Sequence, residues 1–379
     1  MKLQLKNHLV CSQFYNALIK DGAVYMWGQN TDKQCDVPPN LINVVTVALA
    51  ESHTLALKLD GSVIAWGNNC SYQCKIPTNI KNIVAIAALP FKSIALREDG
   101  LLCSWGGDSG LLCNWRGDSF KIDNTVKYKS IYTKYDYLVA VRQNGEIDIF
   151  DDSINSTLPR KLNPPNNINT IDIADIIVET NICLALKTDK TVMAWGNNDY
   201  EQCETPKNLY DVIQIETNGL SNLVLKEDKT VVTWGLNANK YTAADNLRNV
   251  TMVAIGYDFF AALKVDGTII IWSVNLQKSS FTTLAGYSEL QNLNFTTEQY
   301  INGSQSNIAE LFHHKHLSRP ISIIATETCL FFLREDNTIG GWEIYAEGEA
   351  HQIPKHLQLS SLYQYKTEFK NLSDIGFIL

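Results

Sequence analysis

Fourteen residues, TLALKLDGSVIAWG at 54–67, return with small changes along this chain, and that return restricts the fold more than any other property. The related segments are NALIKDGAVYMWG (16–28), SIALREDGLLCSWG (93–106), LVAVRQNGEIDIF (138–150), CLALKTDKTVMAWG (183–196), LVLKEDKTVVTWG (223–235), AALKVDGTIIIW (261–272) and LFFLREDNTIGGW (330–342). Their anchoring aromatic residues are Trp27, Trp66, Trp105, Phe150, Trp195, Trp234, Trp272 and Trp342, at intervals of 39, 39, 45, 45, 39, 38 and 70. Eight units follow from the count.

Each unit reads as a β-hairpin. Apolar residues alternate with small or polar ones on both sides of a turn, the period-two pattern of a strand. Asp-Gly or Asn-Gly occupies the turn in five units, at Gly22, Gly61, Gly100, Gly145 and Gly267, where glycine supplies the positive φ of a tight hairpin. Lys190, Lys229 and Asn337 stand there in the other three. Asn tolerates a left-handed backbone, whereas Lys costs about 1 kcal/mol or forces another turn type.

A third apolar segment precedes most hairpins, as in VVTVALA (44–50), IVAIAAL (83–89), VIQIET (212–217) and ISIIAT (321–326). Pro-containing stretches follow several of them: CDVPPNL (35–41), CKIPTNI (74–80) and CETPKNL (203–209). Proline on an outermost strand blunts an exposed edge. Three or four short strands about every 40 residues, with no helix between, describe the blade of a β-propeller. A β-sandwich has no need of such a period. The expected fold is therefore all-β, one propeller domain over 1–379.

The unit with His53-Thr54-Leu55-Ala56-Leu57 through Trp66-Gly67-Asn68-Asn69, then Gln73-Cys74 and Pro77, resembles the repeats of the regulator of chromosome condensation family. Its Gln-Cys form is closer to compact bacterial versions than to the eukaryotic exchange factor. The resemblance implies a propeller of seven blades, against the eight hairpins counted. Asp151, Ser273 and Glu343 follow the aromatic anchor where the other units have Gly. The C-terminal SDIGFIL (373–379) looks like a segment that precedes a hairpin, and LKNHLVCS near the N-terminus matches it poorly. Asp374–Leu379 is accordingly expected to complete the first blade and close the ring.

Departures from the period are where a propeller carries function. LLCSWGGDSG (101–110) is followed by LLCNWRGDSF (111–120), identical at seven of ten positions. One copy suffices as a strand. The other places Trp115, Arg116 and Asp118 in a projecting loop, as a contact or as a tolerated duplication. The polar stretch 151–169 reads as a loop. The third departure, 273–319 between the seventh and eighth hairpins, holds Asn307-Ile308-Ala309-Glu310 in the form of a capping box. Ile308, Leu311, Phe312 and Lys315 lie at helical spacing, which predicts a short helix near 308–317. Tyr300, Phe312, His313 and His316 make that insertion a second candidate contact. The histidines have no carboxylate or cysteine at zinc-site spacing, so no metal is assigned.

Chemistry is sparse elsewhere. Cys35, Cys74 and Cys203 share one repeat position and read as core residues rather than metal ligands. The anchoring tryptophans recur in the same way and are expected to pack between blades. There is no phosphate-binding glycine loop, nucleophile elbow or His-Glu-x-x-His run, so neither a covalent catalytic site nor a cofactor is expected. The 379 residues carry a formal charge of −8, which argues against nucleic acid as a partner. No apolar run reaches the roughly 18 residues of a membrane span. Lys2, Lys6 and His8 interrupt the apolar N-terminus, unlike a secretory signal. Nine cysteines are an odd number, which suits reduced thiols and a cytoplasmic monomer.

The resemblance implies a protein-binding propeller whose partner is a Ran-type small GTPase. It would stabilise the nucleotide-free form without acid–base chemistry. A composition rich in Asn, Ile and Lys resembles AT-rich genomes, including those of intracellular bacteria. That suggests an effector or inhibitor working in host cytosol or nucleus. A scaffold for an unrelated protein is the alternative, and a lectin-like ligand binder comes third.

Overall fold

The computed structural model describes residues 4, 8–107, 123, 125–134, 137–151, 173–179, 182–236, 247–273, 281–283, 293–299, 305–311, 318–336 and 338–344. All regular structure among them is strand, in eight antiparallel sheets with one repeat hairpin in each. Sheet one is His8–Cys11, Tyr15–Lys20 and Ala23–Gly28; sheet two is Val44–Leu49, His53–Lys58 and Val63–Gly67. Sheet three is Ile83–Leu89, Lys92–Arg97 and Leu102–Gly106, and sheet four is Tyr128–Lys134, Tyr137–Arg142 and Ile147–Asp151. Sheet five is Ile173–Glu179, Ile182–Lys187 and Val192–Gly196, and sheet six is Val212–Thr217, Ser221–Lys226 and Val231–Gly235. Sheet seven has Val250–Ile255, Phe260–Lys264 and Ile269–Ser273, and sheet eight has Pro320–Ala325, Cys329–Arg334 and Ile339–Ile344. The eight repeated blades make the fold an all-β propeller.

Two compact units emerge; the first four sheets belong to one and sheets six to eight to the other. Within each, apolar clusters form between consecutive sheets. Leu55, Leu57 and Val63 of sheet two pack with Ile83, Ala95 and Trp105 of sheet three. Leu223 and Leu225 of sheet six pack with Val250, Phe260 and Trp272 of sheet seven. The middle strands of sheets two, three and seven are thus covered on both faces, and Leu55, Ala56 and Leu57 are all buried. Alternation there separates large from small side chains rather than core from solvent, because a neighbouring sheet lies over each face. Each fully buried leucine contributes about 2 kcal/mol relative to exposure.

The hairpin turns share one geometry. Gly61 N–H donates to Lys58 O at 2.9 Å, and Lys58 N–H donates to Ser62 O at 2.9 Å. Asp60 accepts from Ser62 N at 2.9 Å and from Ser62 Oγ at 2.5 Å. Lys190 and Lys229 adopt φ of 63° and 64°, so lysine keeps the left-handed turn rather than changing its type. This conformation points the turn carbonyl at the next blade. Ile83 N–H donates to Gly61 O (3.3 Å), Val212 N–H to Lys190 O (3.0 Å) and Val250 N–H to Lys229 O (3.1 Å).

Two expectations are corrected. The first sheet takes its third strand from His8–Cys11, paired in register with Tyr15–Lys20 from His8↔Ile19 to Cys11↔Asn16. That place is not left for the C-terminus, and 374–379 lies outside the described residues. Secondly, residues 308–311, assigned to a helix, belong to the strand Gln305–Leu311. It pairs on one edge with Ile269–Ser273 and on the other with Leu293–Gln299, making sheet seven five-stranded. A capping box is worth about 1 kcal/mol, and a helix of ten residues is marginal alone. One ladder of seven pairs and one of five outweigh both. Phe281–Thr283 similarly adds a fourth strand to sheet eight. The described part of the 273–319 insertion therefore widens two blades, and residues 312–317 lie outside the described set.

Candidate interaction surface

The first copy of the tandem duplication supplies the strand Leu102–Gly106. The second copy, with Trp115, Arg116 and Asp118, lies outside the described residues, as do Tyr300, Phe312, His313 and His316. None of the described strands brings these positions together. Among the described residues no group of three His, Cys, Asp or Glu is arranged to hold a metal ion.

The repeat's polar residues instead build clamps between blades. The backbone carbonyl of Gln34 accepts from Trp66 Nε1 at 2.9 Å and from Thr54 Oγ1 at 2.9 Å. Gln73 O does the same for Trp105 Nε1 (2.8 Å) and Ser93 Oγ (2.7 Å), and Gln202 O for Trp234 Nε1 (2.9 Å) and Asn222 Nδ2 (2.7 Å). In each case the glutamine belongs to the connection before the blade that holds the tryptophan. The Gln73 side chain stays local, with Oε1 accepting from Ser71 N at 2.8 Å. The cysteine that follows is held by an asparagine, as where Cys74 N–H donates to Asn69 Oδ1 at 2.9 Å. Burial pushes the Cys35 thiol up to about 12 and those of Cys74 and Cys203 up to about 11. Protonated thiols at neutral pH are poor nucleophiles and poor metal ligands. Trp66, Trp105, Trp234 and Trp272 are buried, so these four indoles offer no free face for stacking.

His53 belongs to the same system. It is fully buried, with Nε2 3.0 Å from Ser93 Oγ. Ser93 gives its own proton to Gln73 O, so His53 Nε2 is the donor and the imidazole is the neutral tautomer. Burial pushes its pKa down to about 4.

With the polar interior committed to clamps, the ends of the strands are what remains for recognition. In the unit holding sheets six to eight the two ends differ. At the hairpin-turn end, charges are matched inside the chain: Lys190 with Glu227, Lys226 with Asp228 at 3.3 Å, Arg319 with Glu335 at 2.7 Å. Tyr210, 54% exposed, has Lys226 Nζ 5.2 Å from its ring centroid. The opposite end carries the loops 197–202, 218–220, 256–259 and 326–328. There Tyr200 and Tyr257 are 46% and 57% exposed. Asp199, Glu201 and Asp258 are exposed beside them.

Hydrogen bonds tie those loops into one strip. Gln202 accepts from Tyr200 N at 2.8 Å through Oε1 and donates to Gly219 O at 3.3 Å through Nε2. Asn218 Nδ2 donates to Gly256 O and Tyr257 O, both at 2.9 Å. Tyr257 N–H donates to Glu327 O at 2.7 Å. Sequence reasoning quoted Gln73 and Cys74 as motif letters without seeing the clamp, although each glutamine stands 32 residues before its tryptophan. Tyr200 and Tyr257 had no such signal, because their place depends on which loops share an end.

The fold and these clamps define a repeat β-propeller with exposed loops at the blade ends. Residues 44–73 match the family model described as "Regulator of chromosome condensation (RCC1) repeat", and the chain carries a repeat of that family. No curated protein matches the chain. Among solved structures, Prp20p from Saccharomyces cerevisiae is similar at 16% identity, with 90% of this chain and 82% of that one covered and a TM-score of 0.46. Human WBSCR16 is similar at 15% identity, covering 91% and 88%, with a TM-score of 0.45. BamB from Moraxella catarrhalis follows at 9%, covering 91% and 97%, with a TM-score of 0.44. Likenesses at these values carry no functional weight.

Proposed function

We propose that this chain is a protein-interaction propeller and that its partner is a Ran-type small GTPase. The observation that carries the reading is the repeat match at 44–73 set in a scaffold whose glutamine carbonyls clamp neighbouring blades. Recognition is left to end loops that the scaffold holds still. Binding the nucleotide-free GTPase more tightly than the loaded form is enough to speed nucleotide release. The Asn-, Ile- and Lys-rich composition supports a bacterial effector that meets this partner in a host cell.

The test is release of a fluorescent guanine nucleotide from a Ran-type GTPase with this chain in catalytic amount. Acceleration supports exchange; binding of the nucleotide-free form without acceleration supports sequestration. If there is neither acceleration nor binding, the GTPase reading falls and the scaffold reading takes its place.

A further inference from the structure

We propose that Met252 is a reversible oxidation site, taking one oxygen atom from a hydroperoxide, and that the resulting sulfoxide tightens the junction between sheets seven and eight. Methionine oxidation in a protein interior ordinarily disrupts packing, so the sign of the effect is what the geometry assigns. The inference does not depend on the GTPase reading.

In sheets six, seven and eight the first strand pairs with the second along one edge, and its other edge belongs to no ladder. Backbone groups on such an edge need partners from elsewhere. Each of these strands also carries a bulge near its start, and the residue just past it is Gln214, Met252 or Ser322. Gln214 reaches across to the first strand of sheet seven. Its Oε1 accepts from Val253 N at 3.1 Å, and its Nε2 donates to Val253 O at 2.8 Å. Met252 holds the same place one blade on and reaches the first strand of sheet eight. Its Sδ receives Ile323 N–H at 3.3 Å and Ser322 Oγ–H at 3.5 Å. Val253 and Ile323 are themselves equivalent, each being the second residue past its bulge. Two donors thus converge on a thioether, a weak acceptor, where the preceding blade supplies an amide oxygen.

Methionine sulfoxide and glutamine share one skeleton. Two methylene groups lead to S=O with a methyl in the first, and to C=O with an amide nitrogen in the second. Oxidation therefore turns the Met252 tie into the accepting half of the Gln214 tie; the donating half is lost because a methyl cannot donate. In the step, a sulfur lone pair attacks a peroxide oxygen, the S–O bond forms and the O–O bond breaks. The leaving hydroxide takes a proton and departs as water, with sulfur losing the two electrons that the peroxide gains. A methionine sulfoxide reductase reverses the step: two thiols give up their hydrogens, a disulfide forms and the oxygen leaves as water. Met252 is half-buried, which leaves it within reach of a small oxidant. Its unbranched side chain can draw back to make room for the oxygen. Met26 shows the contrast. It packs against Ala17, Ile19 and Trp66, and a sulfoxide in those apolar surroundings is a polar group without a donor.

The test treats the full chain with hydrogen peroxide, then with dithiothreitol to restore oxidised thiols, and maps sulfoxide at each methionine by peptide mass spectrometry. Met26→Leu removes the competing sulfur. In that variant, sulfoxide at 252 should raise the melting temperature by about 1–3 °C, and methionine sulfoxide reductases should return it to its starting value. The Met26→Leu/Met252→Leu variant should show no such gain with peroxide, which separates the effect from oxidation at Met193. Met252→Gln, in the otherwise unaltered chain and without peroxide, should melt higher than Met252→Leu by at least the same margin. A lower melting temperature with sulfoxide at 252 would overturn the proposal, as would Met252→Gln melting at or below Met252→Leu. So would an unoxidised Met252 at a dose that oxidises Met193, since peroxide would then not reach the site.

Discussion

The junction between the second and third sheets and that between the sixth and seventh do the same work with different chemistry. At the former, Gln73 O takes protons from both Trp105 and Ser93, and His53 completes the chain through Ser93. At the latter, Trp272 is fully buried and stacks on Phe260 with centroids 5.5 Å apart. No described residue accepts its indole proton. The polar tie has moved to the first strands, where Gln214 donates from Nε2 to Val253 O at 2.8 Å and accepts from Val253 N at 3.1 Å. A blade junction needs a filled interior and a directional bond to set its register, and the two can be supplied by different residues.

Acid should separate the junctions most. His53 titrates at about 4 in the fold against 6.5 when unfolded. A histidine whose folded pKa is depressed binds more protons unfolded, so stability is full above pH 6.5 and falls as pH drops toward 4. The loss reaches about 3 kcal/mol at pH 4. Urea unfolding at pH 7 and pH 4.5 should show a smaller drop in His53→Gln than in the wild type. Equal drops would mean that His53 does not govern this junction.

Glycines give the next contrast, at about 1–3 kcal/mol each. Gly106 has φ of 91°, and a Cβ there would lie 2.5 Å from the carbonyl oxygen of Phe91. At Gly340 a Cβ would instead meet a side chain, the Phe332 ring. Both alanine variants should lower the melting temperature. Adding Phe332→Leu should recover much of the loss in Gly340→Ala, whereas backbone crowding leaves Gly106→Ala without such a remedy. Recovery at neither site would show that Gly340 is also held by its backbone.

These contrasts also mark what the sequence disclosed. Trp27 to Trp342, the Asp-Gly turns and the 39-residue spacing are local and repeated, so eight hairpins could be counted from letters alone. Gln305–Leu311 could not, because its strand state depends on partners at 269–273 and 293–299. Locally, Asn307 to Glu310 favours a helix cap. The strip of Tyr200 and Tyr257 was hidden for the related reason that nothing in either loop records its neighbour.

Replacing tryptophan by phenylalanine tests the clamp itself. Trp105→Phe removes the donor to Gln73 O and leaves Ser93, costing about 1 kcal/mol beyond the packing loss. Trp272→Phe removes a proton that no described group accepts, so only the packing loss remains. Denaturant midpoints should therefore fall further for Trp105→Phe. The reverse order would place an acceptor for Trp272 outside the described residues and make the two junctions alike.

The smallest effect concerns what both kinds of junction share. Lys190 turns the chain before sheet six, whose clamp is described, and Lys229 before sheet seven, each giving its carbonyl to the next strand. Glycine would relieve about 1 kcal/mol of left-handed strain at either site, less the extra chain entropy it loses on folding. Lys190 alone is paired with Glu227 across the repeat, a surface contact worth about 0–1 kcal/mol. Lys229→Gly should thus stabilise the protein by a few tenths of a kcal/mol, while Lys190→Gly should gain less or nothing. Thermal melts at low and high salt sharpen the distinction. Salt screens the Lys190–Glu227 pair, so the gap between the two variants should narrow as salt rises, and a gap that stays constant would locate the difference in the backbone of the turns instead.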